Sequence, residues 1–113
     1  MAHDAAPAAG PSKLVIRNVG LMLSGDLARP ILDADALVAV NGRIAGFGRA
    51  KDLDIDHADI EIDAHGATLS PGLIDSHVHP VAGDWTPRQN QISWIDSCLH
   101  GGVTTMISAG EVH

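Results

Sequence analysis

Ser70-Pro71-Gly72-Leu73-Ile74-Asp75-Ser76-His77-Val78-His79 carries a turn, a strand and two histidines within ten residues. Pro71-Gly72 marks a turn, and the apolar run after it reads as a short buried strand, Leu73 to His79. In an extended chain, residues two apart project from the same face. Asp75, His77 and His79 therefore point to one side. A His-x-His pair on a strand brings two imidazoles close enough to hold one metal ion. Imidazole is the commonest metal ligand and suits zinc, iron and nickel. A carboxylate at Asp75 is placed to orient a ligand or to face the metal pocket. By itself a His-x-His string is a short pattern that matches often by chance, so its weight rests on what surrounds it.

Downstream, Ala82 to Thr86 reads as a loop, with Thr86 as helix N-cap and Pro87 at the first helical position. Ile92, Ile95 and Leu99 recur at helical spacing, and Gly101-Gly102 closes that helix. Val103-Thr104-Thr105-Met106-Ile107-Ser108 then reads as a second strand. Strand, helix and strand in this order predict a βαβ unit with parallel strands. Such strands want cover on both faces and further neighbours. The chain stops at His113, soon after the second strand, so a truncated α/β domain is expected. The histidine pair falls at the C-terminal end of the first strand, the side where barrel active sites gather.

Upstream, Met1 to Ser12 is an Ala/Pro/Gly-rich tail with neither the charged start nor the apolar core of a secretion signal. Lys13 to Val19 and Leu21-Met22-Leu23 read as strands, and Ser24-Gly25-Asp26 as a turn. Asn41-Gly42 between Ala36–Val40 and Arg43–Gly48 is a hairpin signal, because a type I′ turn needs positive φ at both central residues. Ala50 to Ala58 reads as a short helix or loop, Ile60 to Asp63 as a half-exposed strand, and Ala64-His65-Gly66 as a turn. The expected organisation is a tail over 1–12, an antiparallel β part over 13–70, and the βαβ segment over 71–113.

Composition bounds the function. Seven Lys and Arg against fourteen Asp and Glu give a net charge of −7, the wrong sign for a nucleic-acid footprint or an anionic membrane surface. No apolar run reaches the roughly 18 residues of a membrane span, and a cytoplasmic location is expected. Aromatics are only 3%, so aliphatic side chains must fill the core. Cys98 stands alone, without a partner for a disulfide or the CxxC spacing of a zinc site, and reads as a buried helix residue.

The string over 70–79 closely resembles the PGxxDxHxH signature of the amidohydrolase superfamily. Val40 to Gly48 resembles that family's hairpin, Asp63-Ala64-His65-Gly66 its lead-in to the signature, and His100-Gly101-Gly102-Val103-Thr104-Thr105 its second-strand motif. Asp84-Trp85-Thr86-Pro87-Arg88-Gln89 and Leu99 to Gly110 are similar to the enamidase branch of cyclic amidohydrolases, related to dihydroorotases and hydantoinases. The resemblance implies an α/β chain: the N-terminal half of a small β-sandwich, followed by the first βαβ unit of an incomplete (β/α)8 TIM-like barrel. A whole barrel takes about 250 residues. It implies His77 and His79 as ligands of a divalent metal, zinc foremost with iron as the alternative, in a site of one or two ions. The remaining ligands and an aspartate acting as general acid and base would come from later strands. The substrate implied is a small cyclic amide, hydrolysed at a C–N bond other than a peptide bond by metal-activated hydroxide, in a protein that is a homo-oligomer when complete.

Arg88 is a candidate for gripping a substrate carboxylate, against the plainer reading of a solvated first-turn helix residue. His3, His57, His65 and His100 read as tail, loop or helix-end residues, Trp85 and Trp94 as packing, and Glu111 as a weak pocket candidate. Three readings stay open: a cyclic amidohydrolase, a deaminase or other C–N hydrolase of the same superfamily, and a non-catalytic fragment or interaction module. The isolated chain, with two imidazoles where a metal wants three or four protein ligands, is expected to be inactive.

Overall fold

The computed structural model describes residues 12–79 and 93–110. They fall into two compact units that divide after Pro71. In the first unit the strands are β1 (Lys13–Arg17), β2 (Leu21–Leu23), β3 (Ile31–Leu32), β4 (Ala36–Val40), β5 (Arg43–Gly48), β6 (Ile60–Asp63) and β7 (Thr68–Leu69), with a 3-10 turn over Ala50–Asp52. They form a four-stranded sheet in the order β5-β4-β1-β6 and a three-stranded sheet in the order β3-β2-β7.

Alternation along β1 explains the layering. Val15 pairs with Val38 on one face, and Ile16 with Leu37 on the other. The Ile16 and Leu37 face packs onto a cluster of Val19, Met22 and Ala34, which Leu32 and Leu69 of the smaller sheet also join. Aliphatic side chains from both sheets thus meet in one thin sandwich core. On the opposite face Val15 is 1% exposed, the most deeply buried of the large side chains described. Val38 and Leu53 line a shallow depression on that side, so the segment after β5 shields the sheet.

The Asn41-Gly42 hairpin forms as expected, with φ of 52° and 76° at the two turn residues. A β-bulge between Val38 and Ala39 interrupts its register. The expectation of a purely antiparallel first part is corrected: β6 runs parallel to β1, and β7 parallel to β2. The physical cause is the crossover through residues 49–59, which returns the chain to the free edge of β1 in the same direction. Lys13 clamps this return, its backbone N–H donating to Asp59 Oδ2 at 2.7 Å and its ammonium to the Asp56 carbonyl at 2.6 Å. Between the paired strands the backbone stays laced, Gly66 N–H donating to Asn18 O at 2.8 Å and Gly20 N–H to Ala67 O at 3.0 Å. Gly20 is obligatory there, since a Cβ would collide with the Gly66 carbonyl.

The second unit contains β8 (Leu73–Val78), α1 (Ser93–His100) and β9 (Val103–Ser108). β8 and β9 are parallel neighbours, the βαβ arrangement the sequence predicts. Gly102, with φ 93°, ends the helix in the left-handed conformation that suits glycine, and its N–H donates to Leu99 O at 2.9 Å. Gly72 lies hard against the Thr104 side chain, which leaves no room for a Cβ. Two expectations need correction. β8 was expected to be buried, yet Ile74 is 64% exposed, because among the described residues only β9 adjoins it. Cys98 is half-buried rather than buried. The Thr86 and Pro87 helix start lies outside the described residues. Two parallel strands and one helix are the described share of the α/β part, and a closed barrel is not among them.

Candidate metal centre

β8 delivers His77 and His79 to one place. Their Nε2 atoms are 3.1 Å apart, and the rings meet edge to face, with centroids at 5.0 Å and planes at 71°. The i, i+2 spacing of a strand produces this convergence directly. Both rings are exposed, so an ion could reach them. Nitrogens at that separation fit the usual Zn–N distance of about 2.0–2.1 Å to a shared ion.

The far side of the His79 ring is anchored. Its Nδ1 lies 2.8 Å from the carbonyl oxygen of Gly110. A carbonyl only accepts, so Nδ1 carries the proton and Nε2 of the neutral ring holds the lone pair. Nε2 of His77 then donates to Nε2 of His79. Parallel pairing of β8 with β9 brings Gly110 to this position. Val78 is in register with Ser108, and Ala109 N–H donates to Val78 O at 2.8 Å.

Asp75 has a different partner from the imidazoles. Its Oδ1 accepts the backbone N–H of His77 at 3.1 Å, bracing the chain just before the first histidine. Among the described residues no His, Cys, Asp or Glu joins the pair to make a three-member group that could hold a metal. Arg88, Trp85 and Glu111 lie outside the described residues. His57 and His65 both occupy left-handed backbone positions in the first unit, with φ of 58° and 49°. His65 Nδ1 sits 3.6 Å from Asp63. His100 is the last residue of α1. The Gly110 carbonyl and Ser108, whose Oγ accepts the Gly110 N–H at 3.0 Å, are the parts of the site that residue-type reasoning missed. The available signal was topological: residues just past β9 must lie beside the end of β8.

No family model matches the chain. Enamidase from Eubacterium barkeri is 50% identical over 103 residues, which cover 90% of this chain and 26% of that protein. Imidazolonepropionase from Paenarthrobacter aurescens is 34% identical over 90% of this chain and 25% of its own length. Adenine deaminase from Listeria monocytogenes serotype 4b is 37% identical over 84% of this chain and 14% of its own. The crystal structure of enamidase, described as a member of the amidohydrolase superfamily, superposes with a TM-score of 0.76 over 88% of this chain and 26% of that one. The chain therefore spans about a quarter or less of these relatives. The mixed sheets, the βαβ unit, the converging imidazoles and these likenesses together make the chain an N-terminal portion of the amidohydrolase superfamily.

Proposed function

We propose that this chain supplies the first two ligands of a divalent-metal centre in a hydrolase of C–N bonds other than peptide bonds, with a small cyclic amide as substrate. The observation that supports it is the 3.1 Å convergence of His77 and His79 Nε2, within a segment half identical to enamidase. Zinc fits the imidazole pair, and iron is the alternative. When bound, the ion would lower the pKa of its water toward neutrality and polarise the amide carbonyl. The chain's own part is positional. His77 and His79 present their Nε2 atoms from one strand end, an ion there displacing the proton that His77 Nε2 shares with His79; the Gly110 carbonyl holds the His79 ring, and Asp75 braces the His77 backbone. Proton transfer to the leaving nitrogen falls to a residue outside the described set. By the family pattern this would be an aspartate from a later strand, alongside the remaining ligands.

Arg88 is proposed to meet the substrate's carboxylate, and the complete protein to be a cytoplasmic homo-oligomer without nucleic-acid or membrane partners. The charge of −7 supports the first exclusion, and no described helix is long and apolar enough to cross a membrane. The likeness to adenine deaminase supports a second reading, deamination of an amino-substituted ring.

A chimera tests both. Residues 12–110 replace the corresponding segment of Eubacterium barkeri enamidase, and the product is assayed for metal content and for opening of the cyclic amide that this enamidase hydrolyses. Ring opening that disappears on His77→Ala or His79→Ala, with metal content reduced, is the expected result. A folded chimera that loads metal equally well without either histidine would overturn the proposal. Ammonia release from an aminopurine without cyclic-amide hydrolysis would favour the deaminase.

A further inference from the structure

We infer that Ser108 and Gly110 are positioning residues for the metal centre, fixing the tautomer and ring orientation of His79 before any ion arrives. The inference deepens the metal-site proposal and rests on it for its purpose. The Gly110 carbonyl lies 2.8 Å from His79 Nδ1, on the side of the ring opposite the nitrogen that faces His77. A solvated imidazole exchanges its single proton between two nitrogens and rotates freely. A ring pinned through Nδ1–H presents an Nε2 lone pair in one direction. The pin is itself held. Ser108 Oγ accepts the Gly110 N–H at 3.0 Å, and Gly110 has φ 87°, a backbone state that an L side chain resists. Among the described residues nothing lies within 4 Å of where a Gly110 Cβ would stand, so the requirement for glycine that they impose is conformational rather than steric. Ser108 is at the end of the strand paired with β8, so this relay ties the second strand to a ligand on the first. Partners that orient ligand histidines typically change metal affinity by about 10–100-fold when removed.

The test uses the full 113-residue chain, labelled with nitrogen-15, stripped of metal and held at pH 8. Long-range proton–nitrogen spectra of the histidine rings report each tautomer. His79 is expected to carry its proton on Nδ1. In Ser108→Ala it shifts toward the mixture of a solvated imidazole, while Ser108→Thr, which keeps the hydroxyl, restores the wild-type signature. Gly110→Ala reproduces the Ser108→Ala spectrum through the backbone. Zinc titrated calorimetrically into the same proteins binds about tenfold more weakly to Ser108→Ala than to wild type or Ser108→Thr. A wild-type His79 protonated on Nε2 overturns the inference, a result that needs no variant to fold. Unchanged tautomer and zinc affinity in Ser108→Ala and Gly110→Ala also overturn it. If the tautomer behaves as stated but zinc ignores both histidines, the ring lock stands and the metal-site proposal falls.

Discussion

Asp63 is where β6 is tied down at its end. Its carboxylate accepts from the Asn18 side chain and from the His65 backbone N–H at 2.9 Å, with the Arg17 guanidinium 3.9 Å away. These donors, Asn18 foremost and then the His65 amide, hold its pKa below the ordinary carboxylate value, against the opposing effect of desolvation. An acid with a depressed folded-state pKa stabilises the fold above its unfolded value of about 3.9, and that contribution disappears as pH falls through the folded value. Between pH 6 and pH 2.5, the urea midpoint of the first unit should therefore fall more steeply in wild type than in Asp63→Asn. Parallel curves would show that the carboxylate is not linked to folding. At Gly72 the issue is volume. Gly72→Ala drives a methyl into Thr104, and the cost of such overpacking is about 1–3 kcal/mol in the second unit. Thr104→Gly in the same chain should recover most of it. Hydrogen exchange of the β8 and β9 amides measures both, and protection equal to wild type in Gly72→Ala would refute the contact.

At the scale of elements, the hairpin shows what local chemistry can specify. Asn41 and Gly42 both hold positive φ, and Asn41 Oδ1 also accepts the Ser12 N–H at 2.9 Å. Gly42→Ala meets no described residue with its Cβ but must adopt φ near 76°, so about 1–2 kcal/mol should be lost from the first unit by denaturant unfolding. An unchanged midpoint would mean the turn relaxes to another type. The same local grammar made β1, β4, β5, β6 and the βαβ order legible, because each carries either alternation or a turn signal. β3 and β7 were not legible: a two-residue strand has no period to read, and each exists only because β2 offers it an edge. The parallel pairing of β6 with β1 was equally hidden, since alternation tells which face is buried but not which strand is the neighbour. In the candidate site the two imidazoles were visible through their i, i+2 spacing. The Gly110 carbonyl was invisible because a backbone acceptor has no residue type, and Asp75 bonding to the next-but-one amide could not be told from Asp75 facing a metal.

For the whole molecule, the division of buried surface matters most. Val15, Val19, Met22, Ala34, Ala36 and Val38 are the buried apolar residues among those described, and all belong to the first unit. In the second, Leu73, Ile74, Ile95, Leu99 and Ile107 each keep more than half their surface exposed. Apolar burial stabilises at about 25 cal/mol per Å², so a unit that buries so little holds its strand pair mainly through backbone hydrogen bonds. Even the sandwich has an open side. A cleft of about 270 Å³ is lined by Met22, Leu32, Leu37, Ile44, Phe47 and Leu69, with Phe47 51% exposed. The isolated chain should therefore bind a solvatochromic apolar dye and associate as its concentration rises, as exposed apolar surface of this kind does. Native-state hydrogen exchange gives the sharper expectation, because opening free energy follows local burial. Amides of β8 and β9 should exchange about a hundredfold faster than those of β1 and β4 in the isolated chain. In the enamidase chimera, where a complementary sequence can cover Ile74 and Ile107, β8 and β9 should rise to the protection of β1. Equal protection of the two units in the isolated chain would mean that the βαβ segment is stable without further strands. An unprotected β8 in an otherwise folded chimera would mean that its exposed face is not made to be covered by the relative's remaining sequence.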